Sequence, residues 1–423
     1  PWLLIGAKQL APGFIEQGLS IVLDEDNHSL DTLDGIIFAA DFESVTAKDI
    51  ETHIDLQKNT LKKLLNLVQE LQHKTIELRL IILTTNTIPE LSGDILNLDC
   101  SVLLGFCKTL ALELPQYQTM LIDLDKHDAG HYSTQIMNEI HYNHGQNYEH
   151  VVAYRNGQRW VSRLKRTTLP EEKRTLRGEG RYLITGGTGG LGLVTAQALL
   201  SVGAKELILV SRHVDKPELK ARIKKIQSFY PNQIIRTVGL DITDKEKLHS
   251  LLLESNADGL LKGIVHAAGI SMNAPLLAHQ EDDIDSLFSA KIKGGWYLHE
   301  LSQHCDLDFF IVYSSISSVF GSNKESVYSG TNSFLDALIA ERRRLGLVGT
   351  AIQWGPWAEA GMAEKRARDQ GLKQAFIHND QGRAFSNLLI SSPLSHVTII
   401  SPEYLSFMLD FVSKPRPLFY QHL

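Results

Sequence analysis

The feature that most restricts what this chain can fold into is a glycine-rich turn at residues 185–192, which reads TGGTGGLG. The turn follows an apolar run, Arg181 to Thr185, that is typical of a buried strand, and a helical pattern continues from Gly192 to Leu200. Glycines here let the backbone turn tightly and approach a pyrophosphate at the helix N-terminus, where free N–H groups favour anions. The turn therefore predicts a strand–turn–helix unit that binds a dinucleotide, with a purely structural glycine turn as the alternative.

Apolar runs typical of strands alternate with helical patterns along the whole chain, which is longer, at 423 residues, than one ordinary domain. This order predicts parallel sheets with helices on both faces. Residues 163–174 are charged, include Pro170 and indicate a linker. We therefore predict an α/β chain of two Rossmann-like, doubly wound subdomains, at residues 1–168 and 169–423. Only the second carries the glycine turn, so the first is expected to be degenerate and cofactor-free.

The composition argues against several classes of protein. The net charge of −7 disfavours a nucleic-acid partner, because such proteins usually present a basic surface. No signal peptide is evident, and no apolar run approaches the roughly 20 residues that cross a bilayer. Cys100, Cys107 and Cys305 lack the spacing of a metal site, so no metal is expected and a reducing compartment, the cytoplasm, is favoured. The start at Pro1 rather than Met indicates a piece of a longer polypeptide.

The strand after the glycine turn ends in a residue that distinguishes between the two nicotinamide cofactors. Folds that bind NAD usually carry an acidic residue about 20 positions past the turn, where it bonds the ribose hydroxyl. Here 192 + 20 = 212, and the chain has Arg212 after Ser211. A guanidinium pairs with a phosphate, so Arg212 predicts NADPH rather than NADH. A solvated arginine is the alternative.

The spacing of the glycines after Thr185 resembles the turn of the short-chain dehydrogenase/reductase superfamily. In that superfamily the end of the third strand contacts adenine, and small residues after the fourth strand leave room for the cofactor ribose. The resemblance implies that the cofactor contacts are Thr185, Gly186, Thr188, Gly190, Leu191, Gly192, Ser211, Arg212, Asp241, Ile242, His266, Ala267, Ala268 and Gly269.

Residues 313–336 hold the groups that carbonyl reduction needs. The reaction takes a hydride donor, a proton donor for the developing alkoxide and a group that polarises the carbonyl. A tyrosine can donate the proton if a cation is close, and a serine can bond the oxygen; Tyr328 and Ser315 are the candidates. In most of the superfamily a lysine follows the tyrosine by one helical turn, but here that position is Asn332. Lys291 stands upstream instead, where the ordinary enzymes carry their asparagine.

This exchange of lysine and asparagine resembles the ketoreductases of polyketide synthases and animal-type fatty acid synthases. In them the lysine stands 24 residues before the serine and the serine 13 before the tyrosine, and here 315 − 291 = 24 and 328 − 315 = 13. The spacing selects Lys291 over Lys293. The resemblance implies NADPH-dependent reduction of a β-ketoacyl thioester on the phosphopantetheine arm of an acyl carrier protein. In that reaction Tyr328 donates the proton, Ser315 bonds the keto oxygen, Lys291 supplies the cation and Asn332 orients Lys291.

A later segment, residues 353–363, resembles the substrate loop of the same ketoreductases. The resemblance places Pro356 beside the nicotinamide as a cofactor contact and gives Trp357 and Met362 as residues of the substrate loop. Residues 360–373 are expected to form a mobile lid. On composition alone, Trp357 is a core residue.

The resemblance covers nearly the whole chain. The first subdomain is similar to the family's structural subdomain, which braces the catalytic one. The tail, Pro402 to Leu423, resembles the segment that leads to a following domain. The expected partners are therefore the acyl carrier protein and neighbouring synthase domains in the same polypeptide, with no nucleic acid and no membrane.

Two sequence positions bear on the configuration of the product. Ketoreductases that form the D alcohol usually carry a Leu-Asp-Asp stretch, which corresponds here to residues 271–273, Ser-Met-Asn. Those that form the L alcohol usually carry a tryptophan where this chain has Phe320. The missing aspartates favour the L alcohol. Two other functions stay open: a structural module that does not bind NADPH, and a free-standing reductase of small ketones.

Overall fold

The computed structural model describes residues 1–26, 29–39, 49–72, 78–88, 96–143, 148–168, 176, 179–362, 364, 373–390, 392–410 and 418–422. Within these ranges the chain forms two seven-stranded sheets covered by helices. The last strand of the first sheet ends at Val161, and the first strand of the second begins at Arg181. The predicted linker lies between them, and its residues 169–174 lie outside the described residues.

The central strands of the first sheet are short apolar runs that are buried on both faces. The strands are β1 Trp2–Ile5, β2 Ile21–Leu23, β3 Gly35–Ala39, β4 Arg79–Thr85, β5 Met120–Leu124, β6 Val151–Arg155 and β7 Gln158–Val161. Their spatial order is β2-β1-β3-β4-β5-β6-β7. Ile36 and Ile37 of β3 point to opposite faces, and both are fully buried because helices cover each face.

The first sheet is parallel, as predicted, except at its edge, where β7 runs antiparallel to β6. Arg155 pairs with Gln158, so Asn156 and Gly157 form a two-residue turn. Both turn residues have positive φ, 51° and 74°, which asparagine followed by glycine adopts readily. A chain that reverses in two residues cannot include the crossover helix that a parallel pair needs.

The α-helices described for the first unit are α1 Ala11–Glu16, α2 Ile50–Leu71, α3 Ser101–Glu113 and α4 Tyr132–Tyr142. On α2 the buried side chains recur every three or four residues, which gives one apolar face, and Asp49 caps the first turn by accepting the N–H of Thr52. Helix α3 differs because it is buried without a break from Ser101 to Cys107. Such a helix must be covered on more than one side.

The second sheet has the strand order of a dinucleotide-binding fold. Its strands are β8 Arg181–Thr185, β9 Glu206–Ser211, β10 Ile234–Gly239, β11 Leu261–His266, β12 Phe309–Ser315, β13 Thr350–Trp354 and β14 His396–Ile399. They lie in the order β10-β9-β8-β11-β12-β13-β14, and all described neighbours are parallel. The order therefore reverses between β8 and β11, and ligands of such sheets bind in the crevice outside the carboxyl ends at that point.

Helices cover both faces of this sheet. They are α5 Gly190–Ser201, α6 Pro217–Phe229, α7 Lys245–Ser255, α8 Glu281–Phe288, α9 Gly294–Leu301, α10 Ser317–Phe320, α11 Ser326–Arg344, α12 Asn379–Leu389 and α13 Pro402–Asp410. Between α8 and α9 the segment Ser289–Lys293 forms a π-helical turn. Among the helices described, none combines the length and the apolar character that crossing a membrane would need.

The two units share a continuous apolar core, which explains why α3 is buried on several sides. Helix α3 packs along α11 of the second unit, and one cluster of buried side chains includes Val102 and Phe106 of α3 together with Phe334 of α11. Gly105 permits this close crossing, since a Cβ atom there would lie 2.1 Å from the carbonyl oxygen of Ser329. The predicted fold of two doubly wound units is confirmed, and the units are packed against each other through this helix pair.

Candidate active site and cofactor cleft

A cleft of about 460 Å³ opens at the carboxyl edge of the second sheet, where the lining residues follow the ends of β8, β9, β10 and β11. The predicted cofactor residues that line it are Gly186, Thr188, Ser211, Arg212, Asp241, Ile242, Ala267, Ala268 and Gly269. The lining combines the small residues at positions 267–269 with cationic side chains such as Arg212. The cleft therefore lies at the place where the strand order predicts a ligand site.

Gly186 gives the glycine turn its shape. Its φ is +65°, and a Cβ atom there would lie 2.8 Å from the backbone of Ala267. The turn can therefore pack against the chain after β11 only with glycine at this position. Helix α5 begins directly after the turn, so its first N–H groups are free. Gly190, Leu191 and Gly192 form the first turn of this helix and are not among the residues that line the cleft.

Thr185 and His266 were predicted as cofactor contacts, but the structure places them beneath the cleft. Their side chains are fully buried, and Thr185 Oγ1 lies 2.8 Å from His266 Nδ1. Burial, together with the positive charge of Lys291, lowers the pKa of His266 to about 3, so the ring is neutral at pH 7. The pair joins the ends of β8 and β11. Pro356, also predicted as a contact, is buried after β13 and does not line the cleft.

Three further basic side chains line the cleft beside Arg212, and sequence reasoning missed them: His213, Lys216 and Arg222. Lys216 directly precedes α6, and Arg222 lies on the exposed side of that helix. The available signal was the density of lysine and arginine between residues 216 and 225, which is also typical of a solvated helix face. These side chains make one wall of the cleft suitable for a phosphate group.

Lys291 lies on the π-helical turn between α8 and α9, with its side chain buried against α11. Its Nζ donates to the carbonyl oxygen of Tyr313 at 2.9 Å and to Oδ1 of Asn332 at 2.8 Å. Burial lowers the pKa of Lys291 to about 7, and the carboxylate of Asp336 opposes that shift. Single π-helical turns are frequent at functional sites, and this one carries the lysine that the sequence spacing selects.

Asn332 connects Lys291 to Tyr328. Its Nδ2 donates to the carbonyl oxygen of Tyr328 at 2.8 Å, one turn earlier on α11, while its Oδ1 accepts the bond from Lys291. The ammonium nitrogen of Lys291 lies 5.3 Å from the centre of the Tyr328 ring. Three of the four residues predicted as catalytic therefore form one buried cluster, contributed by two different helical segments. Their roles in catalysis stay predictions.

Ser315, the fourth predicted catalytic residue, is the last residue of β12 and lies half-buried at the carboxyl edge of the sheet. Its Oγ accepts the N–H of Ser317 at 3.1 Å, which fixes the side chain at the start of α10. The preceding residue, Ser314, donates to the carbonyl oxygen of Asn332 at 3.3 Å. The strand end that carries Ser315 is thus tied directly to the helix that carries Tyr328.

Trp357 was predicted as part of the substrate loop, and the structure places its side chain in the core rather than in the lining of the cleft. The side chain is 2% exposed and packs edge-on against Trp354, with 5.0 Å between ring centres. Trp357 belongs to the core between the sheet and α12, as the composition of its segment alone predicted. Met362 is half-exposed, and residues 363 and 365–372 of the predicted lid lie outside the described residues.

Comparison with known proteins identifies the second unit. Residues 180–359 match the family model of the KR domain. The structure of A-type ketoreductases from a modular polyketide synthase superposes with a TM-score of 0.84 at 25% identity, over 100% of this chain and 93% of that one. A ketoreductase from the first module of phoslactomycin biosynthesis in a Streptomyces species shares the fold, with a TM-score of 0.81 at 24% identity over 98% of this chain and 92% of that one.

Curated relatives are large synthases. A phenolphthiocerol/phthiocerol polyketide synthase of Mycobacterium tuberculosis is 32% identical over 264 residues, which are 62% of this chain and 14% of that protein. An erythronolide synthase of Saccharopolyspora erythraea is 30% identical over 320 residues, 74% of this chain and 10% of that protein. The match thus spans a small part of each relative. Since the family model falls on the unit that holds the cleft and the buried lysine, this second unit is a KR domain, the ketoreductase domain of polyketide synthases, and domains of this family are oxidoreductases acting on ketones.

Proposed function

We propose that this chain uses NADPH to reduce the keto group of a β-ketoacyl thioester that an acyl carrier protein delivers on its phosphopantetheine arm. The observation that carries the proposal is the buried cluster of Lys291, Asn332 and Tyr328 in the unit that holds the cationic cleft. Proton transfer to a reduced carbonyl needs a hydroxyl donor next to a positive charge, and the cluster supplies both. A purely structural module would gain nothing from burying an ammonium group, which is costly.

The cleft suits a phosphorylated dinucleotide in three respects. The turn at Gly186, Thr188 and Gly189, directly before the N-terminus of α5, offers N–H groups for a pyrophosphate. Arg212 and Lys216 line the side where an extra phosphate would be held. The small residues 267–269 leave room for a sugar. When bound there, NADPH supplies the hydride that is added to the β-carbon of the substrate.

The side chains of this protein act on the oxygen of the substrate. Ser315 donates a hydrogen bond to the keto oxygen and polarises it. Tyr328 transfers its hydroxyl proton to that oxygen as negative charge develops on it. Lys291, held by Asn332, keeps a positive charge beside the phenol and stabilises the phenolate that proton transfer leaves.

Replacing Arg212 with serine tests the choice of cofactor. We expect Kd for NADPH to rise by about 10- to 100-fold, the value of a lost charge-assisted hydrogen bond, while Kd for NADH changes little. Fluorescence titration of the isolated chain measures both constants. Lys220→Ser is the matched control, because Lys220 pairs with Asp215 on the exposed surface. An equal loss for both cofactors would show that Arg212 does not bind the extra phosphate.

For the product we propose the L configuration. Residues 271–273, at the loop after the cleft wall, lack the aspartates that the resemblance associates with the D alcohol. The solved structure of A-type ketoreductases, the type that the resemblance associates with the L alcohol, supports the same choice at 25% identity. We also propose that residues 1–168 form a structural subdomain and residues 169–423 the catalytic one, since the described cleft and the buried cluster belong to the second unit alone.

The proposed function is tested by following NADPH oxidation when the isolated chain is given a β-ketoacyl pantetheine thioester and, separately, the same acyl group on a carrier protein. We expect consumption of NADPH and a β-hydroxyacyl product whose configuration is read by chiral chromatography. If the chain neither binds NADPH nor turns over the substrate, the result would favour the structural module. Good turnover of free ketones without turnover of carrier-bound chains would favour a free-standing reductase.

A further inference from the structure

Two loops of the second unit are hydrogen-bonded to each other beside the start of α11, the helix that carries Tyr328. One, residues 269–276, begins at the wall of the cofactor cleft. The other, residues 321–325, leads directly into α11 and Tyr328. The N–H of Ala274 donates to the carbonyl oxygen of Lys324 at 3.0 Å. The two loops therefore form one continuous piece between the cleft wall and the start of α11.

A single carboxylate from the first unit bonds to both loops. Glu113 is the last residue of α3, and its Oε1 accepts the N–H of Lys324 at 2.6 Å. Its Oε2 accepts the N–H of Leu276 at 2.8 Å. Each carboxylate oxygen thus holds one loop through a charge-assisted hydrogen bond. Helix α3 carries no residue that lines the cleft, and the hydrogen bonds of Glu113 connect it to the site through these two loops.

Lys324 is held in a strained conformation between these bonds. Its φ is +65°, in the left-handed region that side chains other than glycine and asparagine rarely adopt. Glu113 binds its N–H, and Ala274 donates to its carbonyl group, so both sides of the strained residue are fixed. Strained residues persist where their surroundings over-determine them, and they cluster near functional sites.

Other side chains of α3 bond to the same stretch of chain. Lys108 Nζ donates to the carbonyl oxygen of Ser318 at 2.7 Å, and the N–H of Ser322 donates to Thr109 Oγ1 at 3.1 Å. These bonds and the one to Lys324 are spread along the segment between the predicted catalytic serine and tyrosine. Helix α3 therefore holds that segment at several points, and among the described side-chain hydrogen bonds of α3 the one between Glu113 and Leu276 extends the contact to the loop after the cleft wall.

We propose that Glu113 is a positioning residue for ketoreduction: it fixes the two loops that flank the site, and so determines how firmly and in which orientation the acyl chain is held. The proposal rests on the proposed function. It assigns the cofactor-free unit a direct effect on substrate binding and on the configuration of the product, through one carboxylate. No contact between Glu113 and the substrate is involved.

The variant Glu113→Gln tests this inference. It keeps the size of the side chain, but it replaces one acceptor oxygen with an N–H₂ group that faces a backbone N–H. We expect KM for the β-ketoacyl thioester to rise by about tenfold and the stereochemical purity of the product to fall. We expect Kd for NADPH to stay within about twofold, because the residues of the cleft keep their own bonds.

Hydrogen exchange gives a readout that does not depend on activity. In Glu113→Gln, backbone exchange should become faster in peptides covering residues 270–277 and 321–326 and stay unchanged in β8 and α5. Glu281→Gln is the matched control: it removes an exposed ion pair with Lys62 across the same two units and should change none of these quantities. In the double variant Glu113→Gln, Lys324→Gly, we expect KM to fall part of the way back to the value of the unmodified chain, because glycine adopts a positive φ without strain.

The outcomes separate this inference from the proposed function. If the unmodified chain does not reduce the thioester, the proposed function fails, and the exchange experiment still decides whether Glu113 fixes the loops. If the unmodified chain is active and Glu113→Gln matches it in KM, stereochemical purity and loop exchange, the inference is overturned. If Glu113→Gln lowers the melting temperature but does not speed hydrogen exchange in the two loops, the inference is also overturned. If the glutamine variant does not fold, the same quantities are measured on Glu113→Asp. Its shorter side chain reaches only one of the two N–H groups.

Discussion

Replacing Tyr328 with phenylalanine is expected to lower kcat by about 10²- to 10⁴-fold, the usual contribution of a positioned general acid. The variant loses one hydroxyl group and keeps the ring. Because the Tyr328 side chain on α11 is only 8% exposed and its ring packing is retained, the fold should be preserved. Kd for NADPH should stay close to that of the unmodified chain, because Tyr328 does not line the cleft. Initial-rate assays of NADPH consumption with the thioester substrate, beside a cofactor titration, measure both quantities.

Tyr297→Phe is the matched control for this variant. Tyr297 is also buried, and its hydroxyl donates to Glu51 at 2.8 Å, on the side of α9 that faces the first unit. Removing that hydroxyl should leave kcat nearly unchanged. Near-normal turnover in Tyr328→Phe would mean that the proton comes from another group, and the assignment of the catalytic tyrosine would then be wrong.

Replacing Lys291 with methionine is expected to lower kcat by about 10²-fold or more, since it removes the positive charge beside the proton donor while filling the same space. The unmodified chain should also lose activity as the pH rises above neutrality. Burial lowers the pKa of Lys291 to about 7, so the ammonium group loses its proton as the pH passes through that value. A pH profile of kcat should show this decline in the unmodified chain and lack it in Lys291→Met.

Lys293→Met controls for the loss of a lysine from the same π-helical turn. Lys293 forms an ion pair with Glu51 at 2.8 Å and is partly exposed, so its removal should cost little activity. The spacing in the sequence selects Lys291 over Lys293, and this pair of variants tests that choice directly. Greater damage from Lys293→Met than from Lys291→Met would contradict it.

Much of the second unit could be predicted because its chemistry is local in sequence. The glycine turn, the strand ends and the spacing between Lys291, Ser315 and Tyr328 are all visible without a structure. The contacts among Lys291, Asn332 and Tyr328 follow once the strands and α11 are in place. The turn at Asn156 also had a signal in the sequence that was not used, since asparagine before glycine favours a tight hairpin.

What the sequence could not reveal depends on tertiary packing. The π-helical turn at Lys291 has no sequence signature, because the hydrogen-bond register of a helix at one turn is set by what packs around it. Whether Trp357 lies in a core or in a cleft depends on how its loop folds back. The hydrogen bond between Glu113 and Lys324 joins residues 211 positions apart, so the local sequence around either residue does not predict it.

The burial of α11 has a consequence for which parts of this domain can tolerate substitution. Every residue from Ser326 to Ile339 is buried; Tyr328 and Asn332 lie against Lys291, while Ser329 bonds across to Thr109 of the first unit. No side of this part of the helix is free to vary without disturbing either the chemistry or the junction between the units. We therefore expect substitutions that change substrate preference without loss of folding to fall in the loops around the cleft rather than in this part of α11.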